Sequence, residues 1–316
     1  MTVMDEPSAE LLALLRREGQ TRDPVDPTIA LELGARLEDA ASAALRLADG
    51  LPIIVTKDRL QEVLLCERHH VEQLRSRERE ASPEMIRGQI VDLLFTLVVS
   101  GMTVGADPVS DALEADAVAQ EPSLAAAWER LDKGVQQDMG DEVATAAMHL
   151  ANWPRLPANA FPRLQEPMRV ELAGGKIVLL GRADLLLGRA SAEHVGTTLI
   201  DVKSGKRRRE HIADARWYAL LDLLREGVAP FQTGNYYTSR GELELEIVER
   251  TLLEQATKRV IEGMGRMVRI ASGDDPGTNP TPLCPWCPAF DDCEPGRSFA
   301  RKRDGAWSTE EDEEDA

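Results

Sequence analysis

Apolar residues recur at helical spacing through most of the first 150 positions, and the pattern then changes to short apolar runs separated by glycine. Residues 31–47 are rich in Ala, Leu and Glu with apolar positions on one face, which predicts a helix. A second helical stretch covers residues 57–80, with Cys66 inside it. Ser82-Pro83-Glu84 is a helix start: a capping hydroxyl, a proline in the first turn, then an acid. The helix it opens runs through Ile86, Ile90, Val91, Leu93, Leu94, Leu97 and Val98, apolar nearly all round, which predicts burial. Residues 102–151 continue as helices with Ala-rich faces, broken near Asp107-Pro108 and Glu121-Pro122. Pro154, Pro157 and Pro162 mark a loop.

From Glu166 the period shortens to that of strands. Residues 168–172 and 176–180 flank Ala173-Gly174-Gly175, a hairpin signal. Two more short strands are expected, one carrying Gly181-Arg182-Ala183-Asp184 and one spanning residues 197–203. A helix over 210–225, strands over 231–239 and 243–248, and a closing helix over 252–270 follow. Residues 273–282 are turn-rich, and the acidic run 310–315 is expected to be disordered. The layout this suggests is a helical extension (1–55), a second helical region (56–165), an α/β core (166–272), a cysteine-rich segment (273–300) and an acidic tail (301–316).

Composition narrows the function classes. The 316 residues suffice for a full core, and the 43% apolar fraction is ordinary for a globular chain. Aromatics at 4% argue against an extended base-stacking platform, and a net charge of −18 argues against a generally basic nucleic-acid coat, though not against a local basic groove. No 18-residue uncharged apolar stretch exists, so no membrane partner is expected, and the first residues show no signal-peptide pattern. A cytoplasmic location follows as the expectation, and there four cysteines suggest metal before disulfides.

The candidate chemistry sits at strand ends. Asp201 and Lys203 project from one face of their strand while Val202 points the other way, and Asp184 lies at the end of the strand before. Two carboxylates and an ammonium there would suit a hard divalent cation, although Asp-x-Lys alone is as well explained by a surface ion pair. Asp92 interrupts the apolar helix, with Gly88 one turn earlier on its face; a metal, a nearby arginine or solvent could each account for it. Cys284, Cys287 and Cys293 form Cys-x2-Cys-x5-Cys, and with Cys66 they supply four thiolates, fit for zinc or an iron–sulfur cluster. His69 could replace a thiolate, but His69 and His70 are more simply surface histidines.

Together these motifs resemble the RecB-type nuclease domains of the PD-(D/E)xK superfamily, with the iron–sulfur-stapled AddB and CRISPR-adaptation nucleases nearest. That family carries Gly-x3-His, Gly-h-x-Asp, Asp/Glu-h-Lys and Gln-x3-Tyr, where h is apolar, between one cysteine and a Cys-x2-Cys-x5-Cys. Gly181 to Asp184 fits the second motif with Arg182 at the apolar position, Asp201-Val202-Lys203 fits the third, and the four cysteines fit in order and spacing. Asp92 stands where the family has His, and Asp214, before Tyr218, where it has Gln.

The resemblance implies an α/β fold, a restriction-endonuclease-like core with a central mixed sheet flanked by helices and a large N-terminal helical region. It implies Mg²⁺- or Mn²⁺-dependent hydrolysis of DNA, exonuclease rather than endonuclease, in repair, recombination or defence. Asp184 and Asp201 would hold the metal with Asp92 and the Val202 carbonyl, Lys203 would assist, and Glu166 or Glu171 could contribute. Lys206, Arg207, Arg208, Arg209 and Arg216 would hold the DNA backbone, beside Asp214 and Tyr218. Cys66, Cys284, Cys287 and Cys293 would bind a [4Fe-4S] cluster, with zinc as the alternative. The implied substrate is DNA with a free end or single-stranded, and since the chain lacks Gly-x4-Gly-Lys-Ser/Thr, any helicase would be a separate protein. Two other readings are a nuclease-fold module that binds without cutting and a zinc-stapled helical protein unrelated to nucleases.

Overall fold

The computed structural model describes residues 6–17, 22, 25–45, 52–76, 81–118, 123–189 and 196–302. The acidic run 310–315 and the break expected at Glu121-Pro122 lie outside the described residues. In chain order the elements are α1 (Glu6–Leu15), α2 (Ile29–Leu45), β1 (Ile53–Val55), α3 (Lys57–Leu65), α4 (Glu67–Arg75), α5 (Pro83–Val99), α6 (Pro108–Val118), α7 (Ser123–Glu129) and α8 (Lys133–Leu150). They continue with β2 (Arg163–Leu172), β3 (Ile177–Leu187), β4 (Thr198–Lys203), α9 (Glu210–Glu226), β5 (Gln232–Tyr237), β6 (Glu242–Ile247) and α10 (Arg250–Ala271). Spatial contacts divide the chain into two compact units, residues 1–33, 80–169 and 181–256 in one, and 34–79, 170–180 and 257–316 in the other.

In the first unit the C-terminal half of β3 pairs antiparallel with β4, β4 pairs parallel with β5, and β5 pairs antiparallel with β6. The two faces of this mixed sheet differ. Ile200, Val202 and Tyr236 enter a hydrophobic core with α5 and α8, where the Tyr236 and Phe95 rings each meet Trp153 edge-on at 4.9 Å. Side chains alternate along a strand, so Asp201, Lys203, Thr233 and Asn235 face the opposite way, toward α9. Thr233 Oγ1 donates to the Ala215 carbonyl of that helix at 2.9 Å. Helix α5 starts as its sequence dictates, with the Ser82 hydroxyl accepting from the Met85 amide. It is not buried all round: Ile86, Ile90, Val91, Leu94 and Phe95 form its buried face, and Met85 is exposed.

In the second unit β1 pairs parallel with the N-terminal half of β3, Ile53 opposite Ile177. Glycine at position 263 lets α10 lie on α3, since a β-carbon there would overlap Leu60. The helix expected over 57–80 is broken. Cys66 is extended (φ −158°, ψ 115°), ending α3 and starting α4. The residues around Gly181 form no separate strand; they are the middle of β3. His70 is not a surface histidine. It is buried, with Nδ1 3.1 Å from a Glu62 carboxylate oxygen.

Candidate active site

The site lies on the α9 face of the sheet in the first unit. The β3–β4 ladder ends at the Leu185–Ile200 pair. Beyond it the Val202 amide donates to Asp184 Oδ2 at 2.7 Å, so a carboxylate takes over from the backbone where the strands part. Asp184 and Asp201 are both buried. The Lys203 ammonium lies 2.5 Å from Asp201 Oδ2 and 2.8 Å from Asp214 Oδ2. Helix α9 reaches this position because of Gly181: a β-carbon there would lie 2.8 Å from Leu221 Cδ1, 3.1 Å from Tyr218 Cε1 and 3.2 Å from Trp217 Nε1. The missing side chain sets the approach of the helix carrying Asp214 and Tyr218.

Two carboxylates thus bond one ammonium, and a third, Asp184, accepts from the Val202 amide one residue before that lysine. Tyr218 registers the resulting field: burial, and then the Asp201 and Asp184 charges, push its phenol well above the ordinary value. Buried negative charge of this kind is the setting in which a hard divalent cation is held.

Residues 56–294 match the family model of the PD-(D/E)XK nuclease superfamily, well over half of the chain. The chain belongs to that superfamily. No curated protein matches the sequence. A solved structure from Eubacterium rectale, assigned provisionally as an exonuclease, is similar with a TM-score of 0.45 and 14% identity, over 75% of this chain and 86% of that one.

Not every residue expected at the PD-(D/E)XK site is gathered there. Among the described residues no three His, Cys, Asp or Glu side chains form a group able to hold a metal ion. Asp92 is half-buried on α5, one turn after Gly88, which faces Ser204. Glu166 is engaged elsewhere, accepting from Arg225 at 2.8 Å and Arg163 at 3.3 Å. Glu171 belongs to the other compact unit, beside Gly175 in the β2–β3 turn. Of the basic residues, Arg207 pairs with Glu244 at 3.0 Å, and Arg216 bonds Glu246 at 2.6 and 2.9 Å. Lys206, Arg208 and Arg209 are exposed.

Four residues absent from the sequence reading stand at the site. Gln165 occupies the left-handed region (φ 50°) within β2, and its Nε2 donates to Asp184 Oδ1 at 3.2 Å. Arg87 on α5 reaches over Gly205, just past Lys203, and pairs with Glu142. Asn235 lies opposite Asp201 in the β4–β5 register. His211 opens α9 close enough to Lys203, Asp214 and Asp201 for their charges to act on its ring. A lone His or Asn in a polar stretch carries no pattern that sequence could flag.

All four cysteines belong to the second unit and line one cavity, together with His69, Asn279, Thr281 and Phe290. The Thr281 amide lies 3.2 Å from Cys284 Sγ, and the Asn279 amide 3.5 Å from Cys66 Sγ. Burial, and then the neighbouring thiols, raise the Cys287 thiol above its ordinary value, against a lowering backbone hydrogen bond at Ala289. Gly296 closes the wall; a β-carbon there would stand 3.3 Å from Cys293 Sγ.

Proposed function

We propose that this chain is a metal-dependent nuclease of the RecB type that hydrolyses DNA phosphodiesters, attacking from an end. The observation that carries the reading is the Lys203 ammonium held between Asp201 and Asp214 next to the buried Asp184. The donor set fits Mg²⁺ or Mn²⁺ in charge and in hardness: carboxylates from adjacent strands, opposed by one ammonium. Asp184, Asp201 and the Val202 carbonyl would hold the ion, with Asp92 as a further ligand. When bound, it would acidify a water and offset charge on the scissile phosphate. Lys203, held by two carboxylates, would act as a hydrogen-bond donor to the phosphate or the attacking water. The exposed Lys206, Arg208 and Arg209 directly after β4 would attract the DNA backbone.

The reading extends to a [4Fe-4S] cluster on Cys66, Cys284, Cys287 and Cys293, which would draw together thiols that line one cavity but form no ready metal-holding group among the described residues. Four sulfurs from two remote stretches face one space, two of them near backbone N–H groups, as suits thiolate ligands. A second reading, a module that binds DNA without cutting it, draws on the bond that ties the Lys203 ammonium to Asp214.

Incubation of wild type and Lys203→Ala with end-labelled linear and circular DNA and Mg²⁺ or Mn²⁺ tests the proposal. Cleavage of linear DNA by wild type alone is expected. Equal cleavage by both proteins removes the enzyme claim, and binding without cleavage selects the second reading.

A further inference from the structure

His211 stands three residues before Asp214 and seven before Tyr218, so the three share a face of α9. The mechanism above leaves it without a role, yet its surroundings hold it in place. Its main-chain carbonyl accepts from Asn235 Nδ2 at 3.1 Å. A carbonyl can only accept, so this bond fixes which end of the Asn235 amide faces the helix. Oδ1 of Asn235 has no hydrogen-bond partner among the described residues. The His211 ring lies over Tyr237, with centroids 5.7 Å apart and planes at 34°.

The tautomer follows from the neighbours. The Arg208 amide donates to His211 Nδ1 at 3.4 Å, and the Tyr237 hydroxyl stands 3.4 Å from the same nitrogen. A backbone amide never accepts, so Nδ1 carries the lone pair and the proton of the neutral ring is on Nε2. Burial, then the Lys203 charge, push the ring's pKa down to about 4, against opposing pulls from Asp214 and Asp201. The imidazole is therefore neutral at physiological pH.

Asp201 and Asp214 accept only, and Lys203 already bonds both. A phosphodiester entering here needs donors on the α9 side. We infer that His211 is a substrate-contacting residue, its Nε2–H donating to a non-bridging phosphate oxygen of DNA beside Lys203. The inference rests on the nuclease reading above and extends it to a residue outside the family's motifs. A neutral donor suits the position, because an imidazolium would be repelled by Lys203.

Wild type, Lys203→Ala, His211→Phe and His211→Gln decide the matter. Phe keeps a ring over Tyr237 and removes the donor, and Gln restores a neutral N–H near the Nε2 position. His211→Phe is expected to unfold at the wild-type temperature yet cut linear DNA roughly ten- to a hundredfold more slowly, the loss of one hydrogen bond to a charged group. His211→Gln is expected to recover most of the rate with an unchanged pH profile. In a Lys203→Ala background, adding His211→Phe is expected to weaken anisotropy-measured binding of a fluorescent oligonucleotide severalfold. If His211→Phe cuts as fast as wild type, or His211→Gln restores nothing while Lys203→Ala is inactive, the inference falls and the nuclease reading stands. If wild type and Lys203→Ala cut equally, the nuclease reading falls and the binding comparison alone decides whether His211 touches DNA. Should His211→Phe fail to fold, His211→Ala beside His211→Gln makes the same comparison.

Discussion

The Lys203 ammonium and the Asp214 carboxylate meet at 2.8 Å, tying the end of β4 to the first turns of α9. Both side chains are nearly buried, at 13% and 12% exposure, so solvent screens the pair little. The charge of Asp214 is thus matched within the protein before any phosphate arrives.

Removing that carboxylate is expected to cost about 2–4 kcal/mol, since it strips a nearly buried ammonium of a bonded counter-charge. Urea titration of Asp214→Ala measures this. Under the nuclease reading kcat falls about tenfold with KM little changed, because Lys203 loses its orientation rather than its affinity for DNA. A faster enzyme would instead mean that Asp214 restrains Lys203, and would remove the orienting role.

Gly181→Ala tests how α9 is placed. The added methyl meets Leu221, Tyr218 and Trp217 at 2.8–3.2 Å, and only shifts of those side chains or of the helix relieve the overlap. Overpacking of this kind costs about 1–3 kcal/mol. The helix carries Asp214 and Tyr218, so DNA cleavage is expected to fall beyond what lost stability explains. Full activity together with an unchanged melting temperature would show that the close approach is unimportant.

How much of this was legible in the sequence depends on the range of the forces involved. The β2–β3 turn at Ala173-Gly174-Gly175 could be read because all three residues take positive φ, a local property. The contact of Asp201 with Lys203 followed from strand alternation. Cys66 could not be placed, because its flanks keep helical periodicity and the break is a matter of tertiary surroundings: Asn279 Nδ2 bonds the Leu65 carbonyl there at 2.9 Å. Strand β1, three residues long, is too short for any period to show. Gln165 adopts a backbone conformation that no glycine announces, and its contact with Asp184 spans 19 positions.

Asp222 makes stability depend on pH. It is fully buried on α9, accepts from the Thr197 hydroxyl at 2.7 Å, and its Oδ1 has no partner among the described residues. Burial raises its pKa to about 6, although the Thr197 bond lowers it. An acid whose folded pKa lies above its unfolded value favours the fold while protonated. Its contribution is therefore complete below about pH 4 and is lost as pH rises through 6, on the order of 3 kcal/mol in all. Asp222→Asn cannot ionise and is expected to be the more stable protein at pH 7.5, the gap closing toward pH 4.5. Parallel denaturation curves for the two proteins across that range would show that the carboxyl does not titrate there.

The cysteine cavity separates cluster from zinc through His69, which lines it near Cys66. Four thiolates suffice for a [4Fe-4S] cluster, so His69→Ala is expected to keep iron content, brown colour and melting temperature. Cys66→Ala and Cys287→Ala are expected to lose colour and iron. They should also lose on the order of 5 kcal/mol or more of stability, because a bound metal group supplies folding free energy to the segments it joins. A colourless protein with one zinc, lost on His69→Ala, would instead assign a mononuclear site and leave the nuclease reading of the other unit untouched. The two outcomes differ because iron–sulfur absorption reports the cluster directly, without reference to DNA cleavage.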